Sequence, residues 1–153
     1  MSNPTPDNTQ LRPLTIERIT ELFDSQGFNY QVTDGQIQTG FGDVPMQIQL
    51  EAGGAFVLFR GMWHASLSEQ NAAIANSHIS QRHRTTYFPT FYTIQDNDGY
   101  QVIADVCLFI GQPGAEGQSA GITDAQLASY LGVFEMLERE ISELSEAVTA
   151  DLS

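Results

Sequence analysis

Lysine is absent from this 153-residue chain, cysteine and tryptophan occur once each, and histidine occurs three times. Six arginines therefore carry all the side-chain positive charge, against nineteen acidic residues and a formal net charge of -13. Phosphate binding draws its affinity from Lys and Arg that displace counterions, so this balance argues against nucleic acid or an anionic membrane as the partner. With Cys107 alone, no internal disulfide can form. Its place in the apolar run from Val102 to Ile110 is that of a small hydrophobe, which suits a reducing cytoplasm. The first thirteen residues, MSNPTPDNTQLRP, lack the basic start and apolar stretch of a signal peptide or anchor. Residues 1–13 read as a disordered tail, residues 14–149 as one domain, and residues 150–153 as a C-terminal tail.

Catalytic and metal-binding patterns are equally scarce. His64, His78 and His83 fall in neither an H-x-x-x-H nor an H-E-x-x-H pattern, so no pair of rings is aimed at one metal. Asp96-Asn97-Asp98-Gly99 lacks the alternating ligands and final glutamate of a calcium loop, and a hairpin turn explains it. The glycine-rich stretch Gly111 to Gly121 lies between a strand and a helix, yet it carries Glu116 and no lysine, so it reads as a connector. No cofactor or metal is expected. Asp105 is the exception to this blandness, because a carboxylate inside a doubly apolar strand needs a partner. Arg60 and Arg84 are the candidates for an ion pair with it. A pocket around Asp105, Arg60 and His64 is where a small-ligand or enzymatic role would sit.

What is present is a legible order of elements. Ile16, Ile19, Leu22 and Phe23 form one helical stripe, with Thr15 as N-cap, Leu14 as staple and Gly27 at the C′ position. A second helix is expected to start at Ser66, with Glu69 completing a capping box, and to end near His83. Its small apolar side chains suit close approach to a sheet. Thr123 and Gln126 open the last helix, with Ile122 stapling on Leu127, and its stripe runs for about twenty-five residues, close to 37 Å. A domain of this size has a radius of gyration near about 15 Å, so Leu137, Ile141, Leu144 and Val148 are expected to form a dimer or partner surface unless a sheet covers them.

Three hairpins lie between the helices. Asp34-Gly35 joins strands Phe28 to Thr33 and Gln36 to Phe41. Gly53-Gly54 joins the alternating strand Pro45 to Glu51 to the apolar strand Ala55 to Trp63. The third hairpin pairs Thr86 to Ile94 with Gly99 to Ile110, and Pro89 assigns the former to an edge or a bulge. Both faces of the last strand are apolar, so each is expected to be covered. The fold class is α+β, a mixed or antiparallel sheet of five to six strands packed with three helices in the order α-ββββ-α-ββ-α.

The segments LTIERITELFDSQGFNY, AAIANSHISQR and GITDAQL, in this element order, resemble the YbjN family of small bacterial proteins, whose fold is similar to that of type III secretion chaperones. The resemblance spans about Leu14 to Leu144. Its usual N-x-W-N form around the second helix departs here, where Asn76 is kept and His78 and Ile79 take the other places. It implies a non-enzymatic regulator, chaperone-like and dimeric, binding a protein partner. Asn76 is the residue it carries over, and Trp63, Arg60 and Asp105 join it as candidate binding residues.

Overall fold

The computed structural model describes residues 10–112 and 121–152, except for the His64 side chain. Residues 1–9 of the expected tail and the 113–120 part of the glycine-rich connector, Glu116 included, lie outside the described residues. The elements are α1 (Ile16–Gln26), β1 (Tyr30–Thr33), β2 (Gln36–Phe41), β3 (Val44–Glu51), β4 (Phe56–Leu67), α2 (Glu69–Thr85), β5 (Thr90–Asp96), β6 (Gly99–Phe109), α3 (Asp124–Ser129) and α4 (Leu131–Asp151). All six strands are antiparallel, in the order β1-β2-β3-β4-β6-β5. The fold is α+β, as the alternation of helices and hairpins predicts.

Local chemistry sets most of the boundaries. Thr15 Oγ1 accepts from the Arg18 amide at 3.1 Å, and Leu14 and Ile19 are both buried where the staple requires. Asp34 and Gly35 both adopt positive φ, 53° and 76°, and close the first hairpin in two residues. At the last helix, Gln126 N–H donates to Thr123 Oγ1 and Thr123 N–H donates to Gln126 Oε1, completing the capping box. That helix is not continuous. It tightens to i→i+3 bonds at Tyr130, which separates α3 from α4.

Several expected boundaries move. The second helix starts after Ser68, whose Oγ accepts from the Asn71 amide at 3.1 Å. Ser66 belongs to β4, which passes an irregularity after Trp63 and pairs again at Leu67 with Tyr100; the Ser66 hydroxyl donates to the Asp98 carbonyl at 2.8 Å. The expected N-terminal tail also shortens, because Arg12 pairs with Ile122 through two backbone hydrogen bonds. At the other end α4 continues to Asp151, and Leu152 packs against the core.

The core lies between the helices and one face of the sheet. Ile37, Met46, Ile48, Val57, Phe59, Phe91, Val102, Ala104 and Val106 supply the sheet side; Ile19, Phe23, Ala75, Ile79 and Phe134 are on the helix side. Leu137, Ile141, Leu144 and Val148 belong to this core and are fully buried within the single chain, which corrects their assignment to a dimer or partner surface. Gly61 explains how closely α4 approaches β4: a Cβ there would sit 2.5 Å from Ile141 Cδ1. Of the two faces of β6 expected to be covered, by a helix or by a second copy, the single chain covers one. Its other face carries Cys107 and Phe109 in the open, and only Ile103 there is fully buried.

Candidate functional site

The open face of the sheet is divided by composition. Strict alternation from the core-facing residues places Gln36, Gln38, Gln47 and Gln49 on its β2–β3 half. Gln47 Nε2 donates to both Gln36 and Gln49. The β4–β6 half carries Phe56, Leu58 and Met62 opposite Phe109, Cys107 and Ile103, with Phe56 and Phe109 in ring contact at 5.2 Å. Phe109 is 59% exposed.

Arg60 and Asp105 stand directly opposite one another in the middle of this half. Arg60 Nε donates to Asp105 Oδ1 at 2.8 Å and Nη2 to Oδ2 at 3.1 Å, a bidentate pair. Tyr92, on β5, donates its hydroxyl to Oδ2 at 2.9 Å. The hydrogen bond from Arg60 to Asp105 raises the arginine pKa further, against partial burial. Burial, then the bond to Asp105, raises that of Tyr92. Of the two arginines proposed as partners for Asp105, the fold brings Arg60 and leaves Arg84 exposed at the end of α2. Tyr92 has no sequence signal, since its reach to Asp105 depends on the β5–β6 register. Partial burial, then the nearby charges of Glu51 and Asp105, raise the Cys107 pKa, so its thiol stays protonated and is a weak nucleophile.

The other candidate residues are dispersed. Asn76 sits on α2 with its Oδ1 accepting from the Thr93 hydroxyl at 3.3 Å, tying the helix to β5. His64 lies in β4, and its side chain is outside the described residues. His78 pairs with Asp151 at 2.6 Å, and His83 Nε2 accepts from the Phe91 amide at 2.9 Å. Arg82 bridges to Glu140 and, at 3.1 Å, to Glu143, joining α2 to α4. Partial burial works against its charge, and the bonds to Glu140 and Glu143 outweigh it and raise its pKa. No group of three or more metal-binding side chains is gathered among the described residues. No helix among them is long and apolar enough to cross a membrane.

Trp63 lines a cleft of about 310 Å³ together with Asp43, Val44, Met62, Ile141, Ser142, Ser145 and Glu146. The gap exists because β3 pairs with β4 only as far as Gly61, so the rest of β4 has no strand on that side and α4 forms the roof.

A six-stranded antiparallel sheet with its helices on one face and a polar network on the other defines a small α+β module. The family model for YbjN, described as "Putative bacterial sensory transduction regulator", matches residues 15–142, and the chain belongs to that family. A solved structure described as "Crystal structure of YbjN, a putative transcription regulator from E. coli" superposes with a TM-score of 0.68 at 16% identity, covering 92% of this chain and 96% of that one. At that identity the likeness establishes the fold. No curated protein matches the chain.

Proposed function

We propose that this regulator-family protein is a non-enzymatic, chaperone-like module of the cytoplasm that works by binding protein, and that it acts as a homodimer. The observation that carries the reading is the apolar half of the open sheet face, with Phe109 largely exposed beside Phe56. An antiparallel sheet can leave one face to water, but that face then alternates to polar residues, and β6 does not. A second copy fits this surface on charge. Two chains of net charge -13 repel, but at the centre of this face Asp105 is paired with Arg60 and the neighbouring β2–β3 residues are glutamines, which leaves the acids Glu51 and Asp96 at its margins.

The same network favours a structural role for Asp105 over a catalytic one. Both of its carboxylate oxygens already accept from Arg60, and one from Tyr92. Regulation through protein rather than nucleic acid follows from the arginines. Arg12, Arg18, Arg60, Arg82 and Arg139 each lie within ion-pair distance of an acid, leaving Arg84 as the exception among the described residues. The test is analytical ultracentrifugation of wild type and Phe109→Ser. Dimers for the first and monomers for the second are expected, and identical monomers would remove the reading.

A further inference from the structure

We propose that the His83 imidazole is an acid-released latch on the free edge of the sheet, closed while the ring is neutral and opened by its protonation. β5 is an edge strand, and the tight hairpin from Asp96 to Gly99 sets which of its backbone groups meet β6. Thr90, Tyr92, Ile94 and Asp96 point theirs at β6, so those of Phe91, Thr93 and Gln95 point away from the sheet. Natural sheets cover such a row or guard it with charge. Here β5 has no charged side chain before Asp96, and the chain has no lysine to supply one. Helix α2 does the covering instead. His83 Nε2 accepts the Phe91 N–H at 2.9 Å, in the place of a further strand's carbonyl, and about two turns earlier Asn76 Oδ1 accepts the Thr93 hydroxyl at 3.3 Å.

A backbone N–H only donates. Nε2 must therefore be bare, which fixes His83 as the neutral ring with its proton on Nδ1. Protonation puts a hydrogen on Nε2 and sets two donors against each other. Stacking of the ring on Phe91, at 6.4 Å between centroids, supplies no acceptor to replace the lost one. His78 on the same helix responds differently. Its partner is the Asp151 carboxylate at 2.6 Å, to which Nε2 donates in either state of the ring, so acid breaks one histidine contact of α2 and spares the other. The charged groups nearest His83 on α2 are Arg82, held by Glu140 and Glu143 of α4, and the exposed Arg84; neither arginine can accept the Phe91 N–H. Tyr87 follows in the turn after α2, and on β5 and β6 the titratable pair Tyr92 and Asp105 is bonded together on the other face of the sheet.

Nitrogen NMR of the His83 ring and hydrogen exchange at single backbone amides test the latch in the full-length protein. At about pH 8 the ring is expected with its proton on Nδ1, and a proton on Nε2 there overturns the proposal. Between about pH 8 and about pH 5 the Phe91 amide, corrected for its intrinsic exchange rate, should lose about tenfold in protection, the contribution of one hydrogen bond. The Ile94 amide, inside the β5–β6 ladder, should keep its own. An equal loss at Ile94 would mean that the sheet itself opens, and no loss at Phe91 that the imidazole holds nothing; either result overturns the proposal. Two variants separate the hydrogen bond from the ring. His83→Gln keeps an acceptor that does not titrate, so its Phe91 amide should stay protected at both pH values. His83→Phe keeps a ring to stack on Phe91 but no acceptor, so protection should be low at both. A His83→Gln protein that loses protection in acid as wild type does would place the switch elsewhere and overturn the proposal as well.

Discussion

Asp105 shows how a single residue announces a need before the fold supplies the answer. A carboxylate in a run such as Val102 to Ile110 requires a partner, and that requirement was legible. The choice of Arg60 over Arg84 was not, because it depends on a register between strands forty-five residues apart. Replacing Asp105 with Asn should lower the unfolding free energy by about 1–3 kcal/mol, since Arg60 loses its counter-charge and is left partly desolvated. Urea denaturation measures this, and an Asn variant as stable as wild type would contradict the structural role. Tyr92 adds a dependence on pH. Its folded pKa is raised, so its contribution is fully present below the ordinary phenol value and is lost as pH rises through the folded one. Alkaline titration followed by tyrosinate absorbance should show a late-ionising tyrosine that Tyr92→Phe removes. Asp124 behaves in the opposite sense. Hydrogen bonds from Arg12 and then Arg18 lower its pKa, so its hold on the N-terminal segment is present above the ordinary carboxylate value and lost as pH falls through the depressed one. Acid unfolding curves of wild type and Asp124→Asn should therefore converge at the lowest pH.

Among the elements, the helix starts at Thr15 and Thr123 were legible because the cap, box and staple residues agree with one another. The start of α2 was not, since Ser66 and Ser68 both stand before Glu69 and both are competent caps. Pairing of Leu67 with Tyr100 decides between them by holding Ser66 in the strand. Ser68→Ala should accordingly cost about 1 kcal/mol of stability, as a lost N-cap does. Ser66→Ala should leave the helix intact and cost less, and thermal melts of the two variants side by side give the ranking. The length of α4 misled for a different reason. Its 21 residues span about 32 Å, while six strands side by side span about 24 Å. The stripe is buried all the same, because α4 packs on β2, β4 and β6 and also on α2 beside them. Gly61 makes this contact possible, and Gly61→Ala should destabilise by about 1–3 kcal/mol through overpacking against Ile141.

On the scale of the whole molecule, the alternation of helices and hairpins was enough to reach the architecture, because each hairpin carries its own turn chemistry and each helix its own apolar face. The surplus apolar surface was also legible, but it is on the sheet and not on the last helix. Periodicity shows that a strand has two apolar faces; it does not show which one the helices take. Helix packing leaves Phe56, Phe109 and Cys107 in the open on one side, while the acids of α4 line the cleft and the helix interface on the other. A strongly negative molecule thus has one face whose centre is partly apolar and charge-paired, with Glu51 and Asp96 at its margins. Light scattering after size exclusion tests that arrangement most directly. Wild type is expected at twice the 16.8 kDa chain mass, and Phe109→Ser at the single-chain mass while still folded. A wild-type protein that stays at the single-chain mass at high concentration, or a Phe109→Ser variant that still doubles, would contradict the account.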